Sequence, residues 1–199
     1  TLQSPRQMVT HLPAHYYSQQ IQTNQPRVLV CQRNIRDVVV SDYHFYRMCD
    51  LLGRFTGTFD QFFELYKSKH LFYGDPIEWQ QSYWQFKDNP RFLFVCFEVL
   101  KRDRRGTISK IATFLGKQLS DKTLNKIVDH TSFEAMKANP MVNLTMNPLF
   151  HQEICPFMRK GEVGDWKNQL SPEQDQFIQG EIRKLKGTGL ENILGYESV

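Results

Sequence analysis

The residues with chemistry to offer fall in three short segments. The first is Arg33-Asn34-Ile35-Arg36-Asp37, with Ser41 downstream. Arg33 carries a permanent charge on a flat fork that matches the oxygens of a phosphate or sulfate. It stands where a short apolar run, Val28 to Cys31, gives way to a helical pattern. A strand turning into a helix leaves N–H groups and partial positive charge at the helix start, a ready anion site. Asn34 is the expected cap, and Asp37 three residues later sits close to a capping-box spacing with the shorter acid. Ser41 is the second candidate. With a helix starting near Ile35 it lies roughly 9 Å up the axis, at about 1.5 Å per residue. Arg33 can reach it, but the spacing does not force the two together. A surface arginine beside an ordinary strand–helix junction fits these residues equally well.

The second segment is Arg159-Lys160-Gly161-Glu162-Val163-Gly164. Glycines let backbone N–H groups approach an anion closely, and the adjacent cations neutralise it. A basic surface loop whose glycines only supply turn geometry is the plainer alternative. The third is His11, ahead of Leu12-Pro13. A histidine can remove a proton near neutral pH, although a lone histidine before a proline is more often structural. No GxGxxG, GxxxxGK[ST] or GxSxG pattern occurs, and no histidine pair has helical metal-ligand spacing with a third ligand nearby. Trp79, Tyr83 and Trp84 recur at helical spacing and read as core rather than as a binding cage.

The elements that must position these groups follow from periodicity. Val28–Cys31 and Phe92–Phe97 are continuous apolar runs, too short for helices, and read as buried strands. Met8–Pro13 reads as a short strand-like piece. A helix follows Asn34. Phe59, Phe62, Phe63 and Tyr66 mark an amphipathic helix over 59–69. Ile77–Lys87 is an aromatic-rich helix, Glu98–Arg105 a charged link, and Ile108–Leu115 a helix closed by Gly116. Further helices are expected over 120–130, with Leu124, Ile127 and Val128 inward, and over 133–140. Residues 141–156 read as loop. Ser171-Pro172 opens the last helix. Strands alternating with helices predict an α/β fold in three layers, a parallel central sheet flanked by helices, in one domain over residues 1–199.

The net charge of +4 over 199 residues is modest and dispersed. It suits small anionic ligands and gives no nucleic-acid footprint. No apolar run approaches a membrane span, and no secretory pattern opens the chain. Four cysteines without CxxC or finger spacing, two of them within the strand runs, point to a reducing compartment, the cytosol.

Taken together these segments resemble the cytosolic sulfotransferases. The motif residues are Thr10-His11-Leu12-Pro13, the run from Arg33 to Phe45, His130 to Lys137 with Asn139-Pro140, and Phe157-Met-Arg-Lys-Gly-Glu-Val-Gly-Asp-Trp-Lys167. The resemblance implies a nucleotide-kinase-like (P-loop NTPase-like) domain that uses 3′-phosphoadenosine 5′-phosphosulfate (PAPS) and no metal. It implies that Arg33 and Ser41 hold the 3′-phosphate together with Arg159, Lys160 and Gly161. Thr131 and Phe133 would lie beside the adenine, and Phe97, where the family usually has Tyr, would be another neighbour of the nucleotide. His11 would be the general base that deprotonates an acceptor hydroxyl or amine. Phe45, with the aromatic cluster after Phe59, would line an apolar pocket for a small-molecule acceptor such as a phenol, sterol or alcohol.

The departures matter too. The family's phosphosulfate-binding loop, Pro-Lys-Ser-Gly-Thr-Thr-Trp, has no counterpart in these residues. The chain therefore reads as the C-terminal two-thirds of the family domain, N-terminally incomplete. Val9 stands where many relatives carry Lys. Of the late dimer motif only Lys167 is present, with Ser171, Pro172 and Gln176 in the other places, so a family-type homodimer is weakly supported. Two functions stay open: a PAPS-dependent enzyme, or a fragment or pseudoenzyme that retains only 3′-phosphoadenosine nucleotide binding.

Overall fold

The computed structural model describes residues 6–195. After a short 3-10 turn at Ala14–Tyr17 the elements are α1 (Ser18–Asn24), β1 (Val28–Gln32), α2 (Ile35–Met48), α3 (Phe59–Lys67), α4 (Pro76–Trp84), β2 (Phe92–Cys96), α5 (Phe97–Arg102), α6 (Arg104–Phe114), α7 (Asp121–His130), α8 (Phe133–Ala138), α9 (Pro172–Arg183) and α10 (Glu191–Leu194). The two strands pair in parallel, Val28 opposite Phe92 through Gln32 opposite Cys96. Parallel neighbours need a long crossover, and α2, α3 and α4 provide it. Helices flank the sheet, as the alternation of elements predicts.

The core is built around α2. Ile35, Val39, Val40, Tyr43 and Tyr46 are buried and meet Phe59, Phe62, Phe63 and Tyr66 of α3 and Ile178 and Ile182 of α9. The helical spacing of the α3 aromatics turns all four inward. Tyr43 meets Phe59 edge-on at 5.2 Å, and Tyr46 meets Phe62 the same way at 5.2 Å. Each such ring contributes on the order of 2–3 kcal/mol by burial. A buried ion pair between Arg36 and Asp175 ties α2 to α9, with the Arg36 guanidinium 4.8 Å from the Trp166 ring centre. Caps hold the helix starts: Thr58 with Gln61 on α3, and Ser171 with Gln174 and Pro172 on α9.

Four sequence expectations change. Met8–Pro13 is extended and unpaired, with Met8 and Val9 about four-fifths exposed (82% and 80%), because no strand lies alongside it among the described residues. Strand β1 is buried on one face only: Val30 and Gln32 are covered, while Leu29 and Cys31 face outward. Glu98–Arg105 is not a link, because α5 and the start of α6 occupy it. On α7 only Leu124 is fully buried, while Ile127 and Val128 are half-buried. All four cysteines are free. No helix among the described residues is long and apolar enough to cross a membrane.

Candidate functional site

The site grows from the junction of β1 and α2. Asn34 caps α2 as expected, its side chain accepting from the Arg36 N–H at 2.9 Å. The N–H of Asn34 itself donates to the carboxylate of Glu98 at 2.9 Å. Glu98 is buried in the first turn of α5, just beyond β2, 2% exposed, and the Cys96 thiol donates to its other oxygen. Two of the N–H groups at this junction, those of Asn34 and Arg36, are therefore already answered, and Arg33 adds its side chain beside them.

Arg33 stacks on Phe97, its guanidinium 4.4 Å from the ring centre. One Nη donates to the carbonyl of Glu162 at 3.1 Å and lies 3.8 Å from the Asp37 carboxylate. Its Nε–H is buried and has no hydrogen-bond partner among the described residues. Burial lowers its pKa, Asp37 and Glu98 oppose that, and the charge of Arg159 adds to the lowering. Arg33 and Arg159 are thus electrostatic neighbours, although 126 positions separate them (159 − 33).

Asp37 does not close a capping box. It reaches across to the late loop, accepting from the Gly164 N–H at 2.7 Å and the Trp166 N–H at 3.1 Å. Two backbone donors outcompete the one available at its own helix start. Within that loop Asp165 is buried and gathers both cations, Arg159 at 2.7 Å and Lys160 at 2.5 Å. Burial alone would raise the Asp165 carboxyl. The bonds from Lys160, Asn168 and Arg159 outweigh it and hold the group well below the usual carboxylate range. Gly161 has φ +64°, and an added Cβ would lie 2.3 Å from the Phe133 ring. Only glycine lets the loop pass that close to an aromatic face. Lys101 and Lys137 stand over the same ring at 5.9 and 5.7 Å.

Arg33, Phe97, Phe133, Arg159, Lys160 and Gly161 therefore surround one region. The others attach to it differently. Ser41 is half-buried in the second turn of α2. Thr131 ends α7, and its hydroxyl is spent on the Ile127 carbonyl at 2.8 Å. Phe45 packs against Phe150 at 5.8 Å and Phe157 at 6.4 Å, not against the α3 aromatics, which are core. His11 is exposed, its ring 5.1 Å from that of Tyr73. Its segment is held by Tyr83, which donates to the Leu12 carbonyl, and by Ser82, which accepts from the Ala14 N–H. No bond joins His11 to the cation cluster.

The charge distribution suits a doubly charged ligand, and the chain's donors fit one: an orphan guanidinium N–H, two more cations, and a close-packed glycine loop. No group of His, Cys, Asp or Glu among the described residues is placed to hold a metal.

A sulfotransferase-domain profile matches residues 1–189. The chain belongs to the sulfotransferase domain family. It is 40% identical to rat Sulfotransferase 1C2 over 190 residues, 94% of this chain and 64% of the relative. Mouse Sulfotransferase 1B1 is 38% identical over 191 residues with the same shares, 94% and 64%. The chain thus spans less than two-thirds of the length of these curated relatives. The crystal structure of mouse sulfotransferase SULT7A1 complexed with PAP superposes with a TM-score of 0.82 at 28% identity, over 93% of this chain and 67% of that one. Retinol dehydratase in complex with retinol and PAP gives 0.78 at 28% identity, over 88% and 52%.

Within this sulfotransferase domain, residues that the sequence reading passed over now carry weight. Glu98 holds the α2 start, and Asp165 gathers the cations. His44 lies one turn beyond Ser41. Burial and the charges of Arg159 and Arg47, with Lys160 behind them and Asp165 partly offsetting, bring it down to about 4, so it is a neutral imidazole. Its i+3 spacing from Ser41 was the available signal.

Proposed function

We propose that this domain binds a 3′-phosphoadenosine nucleotide between Arg33 and the Arg159–Gly161 loop, as part of a PAPS-dependent sulfotransferase acting on a small aromatic or alcoholic acceptor. The observation that carries this is the buried, unpartnered Nε–H of Arg33 beside two further cations held on a glycine loop. Arg33 and Ser41 take the 3′-phosphate. Arg159, Lys160 and the Gly161 backbone close on it from the other side. Phe133, with Thr131, flanks the base, and Phe97 stacks on the Arg33 fork. The donor supplies an activated sulfuryl group.

His11 takes the proton of the acceptor hydroxyl, the acceptor oxygen bonds to sulfur, and the bond from sulfur to the leaving phosphate oxygen breaks. Transfer of this kind depends on position and on fixed positive groups more than on covalent help from the protein. Phe45, with Phe150 and Phe157, walls the acceptor. Retinol dehydratase, solved with retinol and with androsterone beside PAP, supports an apolar acceptor. A second reading, nucleotide binding without transfer, is favoured by the exposure of His11 and its distance in contacts from the cations.

The test is calorimetry with adenosine 3′,5′-bisphosphate against adenosine 5′-monophosphate. Charge-assisted bonds of about 1.5–3 kcal/mol each should separate them by well over tenfold. Equal affinities overturn the 3′-phosphate site. Sulfation of a simple phenol from labelled donor then separates the enzyme from the binding-only reading.

A further inference from the structure

The stretch 149–151, which carries Phe150, is fastened to the end of α2. The Asp50 N–H donates to the Leu149 carbonyl at 3.0 Å, and the His151 N–H donates to the Met48 carbonyl at 2.7 Å. Cys49 lies opposite Phe150 in this antiparallel pairing. Neighbouring side chains on an extended pair point to opposite sides. On one side the Phe150 ring meets Phe45 and Phe157, both at 5.8 Å. On the other side stands the imidazole of His151.

That ring is held at both nitrogens. Nε2 lies 2.9 Å from Asp50, in the turn that follows α2, and Nδ1 lies 3.0 Å from Glu153 in the same loop as His151. A neutral imidazole has one N–H and one lone pair, so it answers one carboxylate and turns a lone pair on the other. Only the imidazolium bridges the two. The charged groups that face it are Asp50 and Arg54 from the turn and Glu153 from the loop, with Arg54 3.8 Å from Asp50. The Cys155 N–H reaches the His151 carbonyl, and burial pushes the Cys155 thiol up, so it keeps its proton through the neutral range. The His151 side chain is 24% exposed, open enough to exchange its proton with solvent. The remaining ties of this loop do not titrate: Gln152 donates to the Asn143 carbonyl at 2.6 Å, and the Asn143 side chain accepts from the Met158 N–H at 3.1 Å.

We propose that His151 is a positioning residue for the acceptor: its imidazolium, bridging Asp50 and Glu153, latches the 149–151 stretch to the end of α2 and sets the Phe150 ring against Phe45. This deepens the sulfotransferase reading and rests on it. When the proton leaves, one carboxylate loses its donor and the acceptor wall loosens. The basic loop is tied to α2 through separate bonds, from Gly164 and Trp166 to Asp37, so the nucleotide site does not follow. Acceptor affinity therefore falls as pH rises, and nucleotide affinity does not fall with it.

The test is calorimetry of para-ethylphenol, which stays neutral over the range, on protein saturated with adenosine 3′,5′-bisphosphate at about pH 6 and about pH 8.5. Wild type should bind the phenol about fivefold more weakly at the higher pH, the worth of one hydrogen bond. His151→Gln should show the weaker affinity at both pH values. His151→Arg, which keeps donors and a fixed charge, should show the tighter affinity at both. Bisphosphate binding within about twofold of wild type reports that each variant is folded. A pH step that survives His151→Gln overturns the assignment and gives the step to another group, Asp42 of α2 being one whose carboxyl is pushed up to about 7. No step in the wild type, or a weakened His151→Arg, overturns it as well. Phenol that fails to bind at either pH removes the acceptor wall and this proposal, with the nucleotide site left standing. Failure of the bisphosphate itself to bind removes the sulfotransferase reading and the proposal together.

Discussion

The Asp37 carboxylate accepts the backbone N–H of Gly164 at 2.7 Å, across 127 positions of chain. That bond, with the second to Trp166, fixes the basic loop against α2 and beside Arg33. Removing it leaves two N–H groups without an acceptor and removes the carboxylate nearest Arg33. Asp37→Ala should therefore cost about 3 kcal/mol of stability by urea unfolding, and Asp37→Asn, which keeps one acceptor, roughly half of that. Both variants should lose bisphosphate affinity even where they remain folded, because the loop no longer meets Arg33. Unchanged binding in a folded Asp37→Asn would separate the loop from the site.

Gly161 gives a sharper local test. Its positive φ disfavours any other residue, and a Cβ would enter the Phe133 ring. Gly161→Ala should lower bisphosphate affinity by at least about tenfold. The double variant Gly161→Ala with Phe133→Leu should recover part of it, since the collision is relieved while the strain stays. Isothermal titration of the three proteins measures both terms, and no recovery would place the whole effect in the backbone.

Much of this arrangement could be read from residue order. The α3 stripe from Phe59 to Tyr66, the Asn34 and Ser171 caps, and the strand expected over Phe92–Phe97 each depend on local spacing, and each formed, the strand ending one residue early at Cys96 where Phe97 opens α5. Where Asp37 points did not depend on local spacing. Its capping-box position offered one partner nearby, and a loop far along the chain offered two. Glu98 looked like part of a charged link because its role, accepting the Asn34 N–H, exists only once β1 and β2 lie side by side. The outward face of β1 misled for a related reason: an apolar run says that a strand is apolar, not that both faces find cover. Arg33 and the Arg159 loop were legible as cations. That they become neighbours is tertiary information that the family motifs carried and the spacing did not.

His151 makes a prediction about pH. Its Nε2 lies 2.9 Å from Asp50 and its Nδ1 3.0 Å from Glu153, with Arg54 3.8 Å from the same Asp50. A neutral imidazole has one donor, so both carboxylates are satisfied only by the imidazolium. The bonds to Asp50 and then Glu153 raise its pKa against the opposing charge of Arg54. A raised folded value means the stability it contributes is fully present below the ordinary histidine value and is lost as pH rises through the folded one. His151→Gln should melt below wild type at about pH 5.5, and the gap should close by about pH 8.5. A gap independent of pH would assign the contribution to packing alone.

The Asp42 carboxyl makes a second prediction about pH, in the same direction for the wild type but with the variant the more stable protein. Its folded value of about 7 stands well above the ordinary aspartate value, and desolvation is the larger cause, with Arg33 pulling the other way. The folded chain therefore holds this proton more tightly than the unfolded chain does. Stability falls as pH rises from about 4 to about 7, and the full penalty is present above that. Asp42→Asn cannot ionise, so the variant should melt above wild type at about pH 8, with the difference shrinking toward about pH 5. Melting curves of both proteins at the two pH values measure the difference. A variant that melts below wild type at the higher pH would show that contacts inside the protein hold the Asp42 carboxylate.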